Sequence, residues 1–333
     1  MNSMFAYCYA LSNIDVSHWN TSNVTDMSCM FDDCESLQTL DTSHWNTSNV
    51  TNMSDMFEEC GALKSIDTSN WDTSNVRDMT EMFYCCKELT TVDVSHWNTS
   101  NVSEMSDMFS NCNKLRTLDT SHWNTSKVRS MRYMFYCCMT LTTIDVSHWS
   151  TSNVVTMSHM FYYCRKLRTL DVTQWNTSNV TDMSSMFANC HKLRELDASH
   201  WNTSNVTIMS SMFKHCANLS SIDISRWDVS NVTDMSGMFR KCFKLREINI
   251  SRWDIPDTCR LCQFLENCIN LKVLNISFWK LTKVFILINL LYNRYTRTDV
   301  QTLYLPETYK MIGLDKNDVC EQLGLSSTRI VWM

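Results

Sequence analysis

Apolar residues recur along this chain with a period of 26. Trp stands at 19, 45, 71, 97, 123, 149, 175, 201, 227, 253 and 279. A Met-Phe pair keeps the same interval from Met4-Phe5 to Met238-Phe239, and a Cys follows each Phe by three residues, from Cys8 and Cys34 to Cys242, with Cys268 continuing the column. Self-similarity at a fixed period of this size means a solenoid, in which each unit buries its apolar face only against its neighbours. Within a unit, Leu37, Leu40 and the position shared by Thr42 and Val94 follow an L-x-x-L-x-L spacing, which predicts a short parallel strand. Asn46-Thr47-Ser48-Asn49 then offers capping groups. After it, Val50, Met53, Met56, Phe57 and Cys60 recur at steps of three and four, which predicts a helix of about three turns. The expected architecture is an α/β solenoid: a leucine-rich-repeat-like right-handed superhelix with one short parallel strand plus one short helix per 26-residue repeat, each coil advancing ~4.8 Å.

The pattern decays after residue 255. Pro256 replaces the Ser/Asn turn, Thr258 stands in the Val column, and Phe264-Leu265 replaces Met-Phe. Val300, Leu303 and Leu305 restore the strand spacing 29 residues after Leu271, Leu274 and Ile276, so one longer coil follows. Asp315 to Leu323 reads as a helix and Thr328 to Met333 as a last strand. The expected organisation is a solenoid of about ten to eleven repeats over 1–283, the last one or two degenerate, and a C-terminal cap over 284–333 that covers the open end of the core. The N-terminus begins in mid-repeat, an uncapped end expected to self-associate or to mark a fragment boundary.

The unit L-x-x-[LI]-D-[VT]-S-x-W-[ND]-T-S-N-V-x-x-M-x-x-M-F-x-x-C resembles the BspA-like leucine-rich repeat family, common in mycoplasmal and other bacterial surface lipoproteins and in protist surface proteins. The resemblance covers residues 4 to about 255 and, more weakly, runs to 279. It implies a non-enzymatic surface or adhesion protein that binds other proteins. Two departures stand out: there is no signal peptide or lipobox, and no Gly in the loop after Phe, where family members often have Ser-Gly-Cys.

Composition narrows the function further. With 4 Gly and 2 Pro, Gly-rich phosphate loops and Pro-rich linkers are excluded. The formal charge of −6 conceals an asymmetry: residues 1–107 carry 17 acidic and 3 basic side chains, whereas residues 108–333 carry 18 and 26. The continuous basic face of a nucleic-acid binder is therefore not expected. No apolar run reaches the ~18 to 20 residues of a membrane span; the longest candidate, Val284 to Leu291, is interrupted by Asn289. The chain as encoded reads as cytoplasmic, with the cell surface as the alternative that the family resemblance implies.

Several columns carry reactive groups, and each has a plain structural reading. The cysteines of one column point the same way, which is the wrong geometry for disulfides, so they read as small buried hydrophobes; with Cys29, Cys85, Cys137 and Cys320 they suit a reducing compartment. Cys259-x-x-Cys262 with Cys268 has part of a zinc spacing but no evident fourth ligand. Asp15, Asp41, Asp67, Asp93, Asp119, Asp145, Asp171, Asp197 and Asp223 form a carboxylate column that Asn249 and Asn275 continue. Each Asp is expected to accept hydrogen bonds in the turn before Trp; a calcium stack is the alternative, and Asn would ligate calcium less well. His18, His44, His96, His122, His148 and His200 precede Trp, but Arg226, Arg252 and Phe278 share their column, so an imidazole site is not expected. The sequons Asn20-Thr21-Ser22 and Asn23-Val24-Thr25 recur as repeat grammar. No catalytic constellation, metal site or cofactor is expected.

Function is then sought where the repeat varies. Lys114/Arg116, Lys166/Arg168, Lys192/Arg194 and Lys244/Arg246 flank the first strand Leu, and alternation places them opposite the core, a basic stripe suited to an acidic protein or glycan. The two positions after Phe run from Asp32-Asp33 and Glu58-Glu59 through Tyr84, Tyr136 and Tyr162-Tyr163 to Lys214-His215 and Arg240-Lys241. Tyr136, Tyr162 and Tyr163 form a second candidate patch, since exposed tyrosines serve as interface anchors. The expected function is protein binding, adhesive or scaffolding, at the strand face. The alternative is a structural protein that self-assembles through its uncapped N-terminal end, head to tail.

Overall fold

In the computed structural model, residues 1–277, 301–307 and 329–333 are described. The chain forms two compact units, Met1–Asn179 and Val180–Met333. Each is a parallel β-solenoid whose coils repeat at the predicted 26 residues. In the first unit, β1 (Ser65–Ile66) pairs with β2 (Thr91–Val92), and β3 (Thr117–Leu118) with β4 (Thr143–Ile144). In the second, β5 (Glu247–Asn249), β6 (Val273–Asn275), β7 (Thr302–Leu305) and β8 (Arg329–Trp332) form one parallel sheet in that order. Leu274 stands opposite Leu303, the 29-residue offset that the leucine spacing predicts. The last strand, expected at Thr328 to Met333, is β8. Phe278, Trp279, the apolar run from Val284 and the helix expected at Asp315 to Leu323 lie outside the described residues, as do Cys320 and most of the expected cap.

A second parallel ladder runs through the opposite side of each coil, as single-residue pairings from Asp26 through Asn52, Asp78, Glu104 and Ser130 to Thr156, and again from Asp182 through Ile208 and Asp234 to Arg260. The helix expected over Val50 to Cys60 and its equivalents is not there; the described residues contain no helix. In that segment alternate amides bond to the next coil: Met27 N to the Asn52 carbonyl at 3.0 Å, Cys29 N to Ser54 at 2.9 Å, Phe31 N to Met56 at 3.0 Å and Asp33 N to Glu58 at 2.9 Å. Between them lie tight turns, such as Cys34 N to the Phe31 carbonyl at 3.0 Å. Two residues per coil adopt left-handed backbone, Cys29 at φ 53° and Asp33 at φ 57° in the first full coil. Each bend turns the peptide groups along the stacking axis. The backbone therefore bonds between coils, whereas a helix would bond within itself.

The core is a set of ladders. In the first unit the rings of Phe5, Phe31, Phe57, Phe83, Phe109, Phe135 and Phe161 stack at centroid spacings of 5.4 to 5.8 Å. The rings of Trp19, Trp45, Trp71, Trp97, Trp123 and Trp149 stack beside them at 6.0 to 6.4 Å. In the second unit Phe187, Phe213 and Phe239 continue the arrangement, but Phe264, standing in a Met position, meets Phe239 edge-on at 78°. The decay read after residue 255 is thus a local repacking.

The polar letters of the repeat close the coils. Asp15 Oδ1 accepts from Ser17 N at 3.0 Å and Ser17 Oγ at 2.7 Å, and the amide two residues on is held in the same way by Asp41, Asp67, Asp93, Asp119, Asp145, Asp171, Asp197, Asp223, Asn249 and Asn275. Asn46 Oδ1 does the same for Ser48, and Asn49 Nδ2 donates to the Ser22 carbonyl of the preceding coil at 2.8 Å. Buried Thr47 Oγ1 donates to the Asp72 carbonyl at 3.0 Å. The thiol of Cys60 donates to the Phe31 carbonyl at 3.2 Å, and those of Cys86, Cys112 and Cys138 repeat the bond. All cysteines among the described residues are free thiols.

Candidate interaction surfaces

Lys114, Arg116, Lys166 and Arg168 are exposed on the strand face of the first unit, on either side of the fully buried Leu115 and Leu167. Lys192, Arg194, Lys244 and Arg246 are exposed in the same way in the second unit, around Leu193 and Leu245. The structure brings Lys114 to Glu88 on the preceding coil, 2.5 Å away; none of the other seven enters an ion pair among the described residues. Beside the stripe the strand residues form shallow grooves. One of about 520 Å³ in the first unit is lined by Thr117, Thr143 and Thr169 and by Asp119, Asp145 and Asp171. Its equivalent in the second unit, about 750 Å³, is lined by Asp197, Asp223, Asn249, Asn275 and Tyr304, with Glu195 and Glu247 in the Thr column. Acidic side chains line both grooves, and none of the eight basic residues does. The acidic lining is fixed by folding: hydrogen bonds from the Ser121 hydroxyl and then its amide hold the Asp119 carboxyl below the usual range, and Ser147 does so for Asp145.

The second candidate patch lies on the edge built by the left-handed bends. Tyr136 and Tyr162 stack at 4.8 Å with planes 5° apart, and Tyr163 lies 5.0 Å from Tyr162. Tyr133 and His159 join them, stacked at 4.5 Å, and Arg132 and Arg165 lie over the rings of Tyr133 and Tyr163 at 5.0 and 4.5 Å. Tyr133 and His159 escape the sequence reading because they occupy a column assigned to the helix; each is instead a left-handed residue whose neighbour is 26 positions away. Burial first, then the Cys137 thiol, pushes the Tyr136 hydroxyl up to about 12.

The same column also gathers carboxylates that the sequence reading leaves apart. Oxygens of Asp55, Glu58 and Glu81 lie within 4.8 Å of one another. Burial, followed by repulsion from Glu81, Asp32 and Asp55, pushes Glu58 up to about 8. Asp32 rises to about 6, through burial and then Asp33. Cys259 is buried and Cys262 exposed, while the Cys268 thiol is engaged with the Phe239 carbonyl at 3.0 Å. The six histidines before Trp are exposed, the polar column that the sequence predicts. No helix among the described residues is long and apolar enough to cross a membrane.

Comparison with solved structures finds similar chains among leucine-rich repeat proteins. An internalin from Listeria monocytogenes is 14% identical, with 92% of this chain and 77% of that one covered and a TM-score of 0.33. A leucine-rich repeat protein from Bacteroides ovatus is 14% identical, covering 93% and 88% at a TM-score of 0.34. One from Leptospira interrogans is 12% identical, covering 96% and 95% at 0.27. Comparison with curated proteins finds no match. The family model described as "Mycoplasma protein of unknown function, DUF285" matches overlapping segments at 1–90, 61–169, 86–195, 137–227, 157–279 and 214–299. Those matches run through the whole array of 26-residue coils, and the chain belongs to that family.

Proposed function

We propose that this chain is a non-enzymatic protein-binding solenoid, adhesive or scaffolding, that presents its strand face to an acidic protein. The observation that carries the reading is the exposed pairing of Lys114 with Arg116, Lys166 with Arg168, Lys192 with Arg194 and Lys244 with Arg246 around leucines that are fully buried. Within each unit the backbone that carries these side chains is fixed by the hydrogen bonds between coils, so only the side chains themselves are left to order on binding. The repeat argues against catalysis, because a polar group present in every coil does not by itself build a unique site. Tyr136, Tyr162 and Tyr163 offer a second contact, rigid and half-buried, of the kind that anchors interfaces.

The test is a pull-down with the intact chain and with a chain carrying Glu at all eight basic positions, matched for folding by circular dichroism. Acidic partners captured by the first and lost by the second support the strand face. Equal capture by both would overturn it and transfer the role to the tyrosine edge.

A further inference from the structure

The two residues after each core Phe leave the backbone in the same way in every coil. The second of them is left-handed at Asp33 (φ 57°), Glu59 (φ 53°), His215 (φ 60°) and Lys241 (φ 62°). The coils bearing them are spaced alike, with ring separations of 5.7 Å for Phe31 to Phe57 and 5.5 Å for Phe213 to Phe239. One edge of the first unit thus holds an acidic ladder, Asp32-Asp33 above Glu58-Glu59. The corresponding edge of the second unit holds a basic one of the same pitch, Lys214-His215 above Arg240-Lys241.

The partners within the chain leave both ladders incompletely neutralised. Lys87 reaches Glu59 at 3.4 Å and Glu266 reaches Arg240 at 3.1 Å. Asp33, Glu58, Lys214 and Lys241 enter no ion pair among the described residues. Asp32 is itself buried at 8% exposure and Glu58 is pushed up to about 8, so Asp33 and Glu59 carry the accessible negative charge of the ladder.

We propose that the acidic edge of the Met1–Asn179 unit docks against the basic edge of the Val180–Met333 unit of a second copy of this chain, ladder against ladder. Pitch favours a second copy over an unrelated basic segment. An extended peptide repeats its side chains on one face every ~6.8 Å, while coils of a parallel ladder repeat every ~4.8 Å, so across the two coils of each ladder the peptide falls out of step by about 2 Å. A second copy carries charges of opposite sign at the matching interval on the same kind of backbone. Such a contact joins different patches of the two copies and is heterologous.

Sedimentation velocity on the full chain tests this. At low ionic strength the mass is expected to rise with concentration, and near 1 M salt, where screening acts within about 3 Å, it is expected to return to the monomer. The pair Asp33→Lys with Glu59→Lys and the pair His215→Glu with Lys241→Glu are each expected to be monomeric alone and to associate when mixed, because the mixture restores opposite charge. The milder pair Asp33→Asn with Glu59→Gln is expected to weaken association several-fold, should a reversed pair unfold. A wild-type chain that stays monomeric at low salt, or reversed variants that fail to associate on mixing while folded, would overturn the proposal. Reversal of the strand-face stripe leaves this association in place, so its failure and that of the proposed function are read separately.

Discussion

Replacing Asp119 by Ala removes the acceptor for two hydrogen bonds, from Ser121 N at 3.1 Å and from Ser121 Oγ at 2.7 Å, and leaves the buried Leu118 and Thr120 on either side in place. The carboxylate is exposed, so burial adds nothing to its worth. The closest measured analogue is loss of a capping side chain, about 0.5 to 2 kcal/mol, and a value near 1 kcal/mol is expected here. For a cooperative unit of this size, that is a fall of about 2 to 4 °C in melting temperature. Asp119→Asn keeps Oδ1 and is expected to cost less than about 0.5 kcal/mol, as Asn249 and Asn275 already perform the same task. Asp41 lies three coils away, so Asp41→Ala with Asp119→Ala is expected to cost the sum of the two. Calcium held between coils would behave differently: Asn would be as harmful as Ala, and added calcium would raise the melting temperature. Calorimetry of the wild type, the three single variants and the double variant, with and without calcium, decides the matter, and either of those two results would refute the turn reading.

The thiols of Cys60, Cys86, Cys112 and Cys242 are buried and pushed far up by burial, so a thiol reagent is expected to label Cys262, which is exposed, in the native protein and these four only after unfolding. Phe109→Ala opens a hole between the rings of Phe83 and Phe135, 5.5 and 5.8 Å away, and is expected to cost about 3 to 5 kcal/mol in urea denaturation. For pH, the raised carboxylates Asp32 and Asp107, about 6, and Glu58, about 8, bind more protons in the fold than in the unfolded chain. Stability is therefore expected to fall as pH rises through those values, and Glu58→Gln to remove part of that fall. The turn carboxylates, held low by their serines, act in the opposite sense and weaken the fold only below about pH 4.

The coil length and the stacking of Trp on Trp and Phe on Phe are legible in the sequence because a solenoid repeats its contacts as faithfully as its letters. The strand at the second leucine, the exposed basic pairs beside the first, and the 29-residue coil are legible for the same reason. The helix is misread because Met27, Met30, Phe31 and Cys34 keep a three-and-four spacing whether they line one face of a helix or the inside of a coil bent by left-handed residues. Such bends are usually announced by Gly, which tolerates positive φ without strain. Here Gly237 alone among the described residues does so, and Asp, Asn, Ser, Tyr, His, Cys, Glu, Gln and Lys hold the other bends. The Ser-Gly-Cys glycine of the BspA-like repeats that this unit resembles would fall on the position of Asp33, Glu59 and Lys241, which hold the bend without it. The carboxylate gathering at Asp55, Glu58 and Glu81 was lost with the bend, since a helix would have set Glu81 on a different element instead of directly beside Asp55.

The division of labour among columns follows from the stacking. The letters that repeat most regularly, Trp, Phe, Cys, the turn Asp or Asn and the buried Thr, make bonds or ring contacts to the coil before or after them, and a change there reaches the neighbours as well. Side chains vary where they leave the stack, and two such places carry the candidate surfaces: beside the first strand leucine, and on the left-handed edge after Phe. The first changes from Ser36 and Gln38 to Lys and Arg along the chain; the second changes from paired acids through stacked tyrosines to paired bases. Because neighbouring coils hold these side chains at a common pitch, a partner meets a ladder of charge or of rings rather than a single residue. The proposed recognition is then a matter of matching period as well as sign, and single substitutions on either edge are expected to weaken binding in small steps while substitutions on successive coils abolish it.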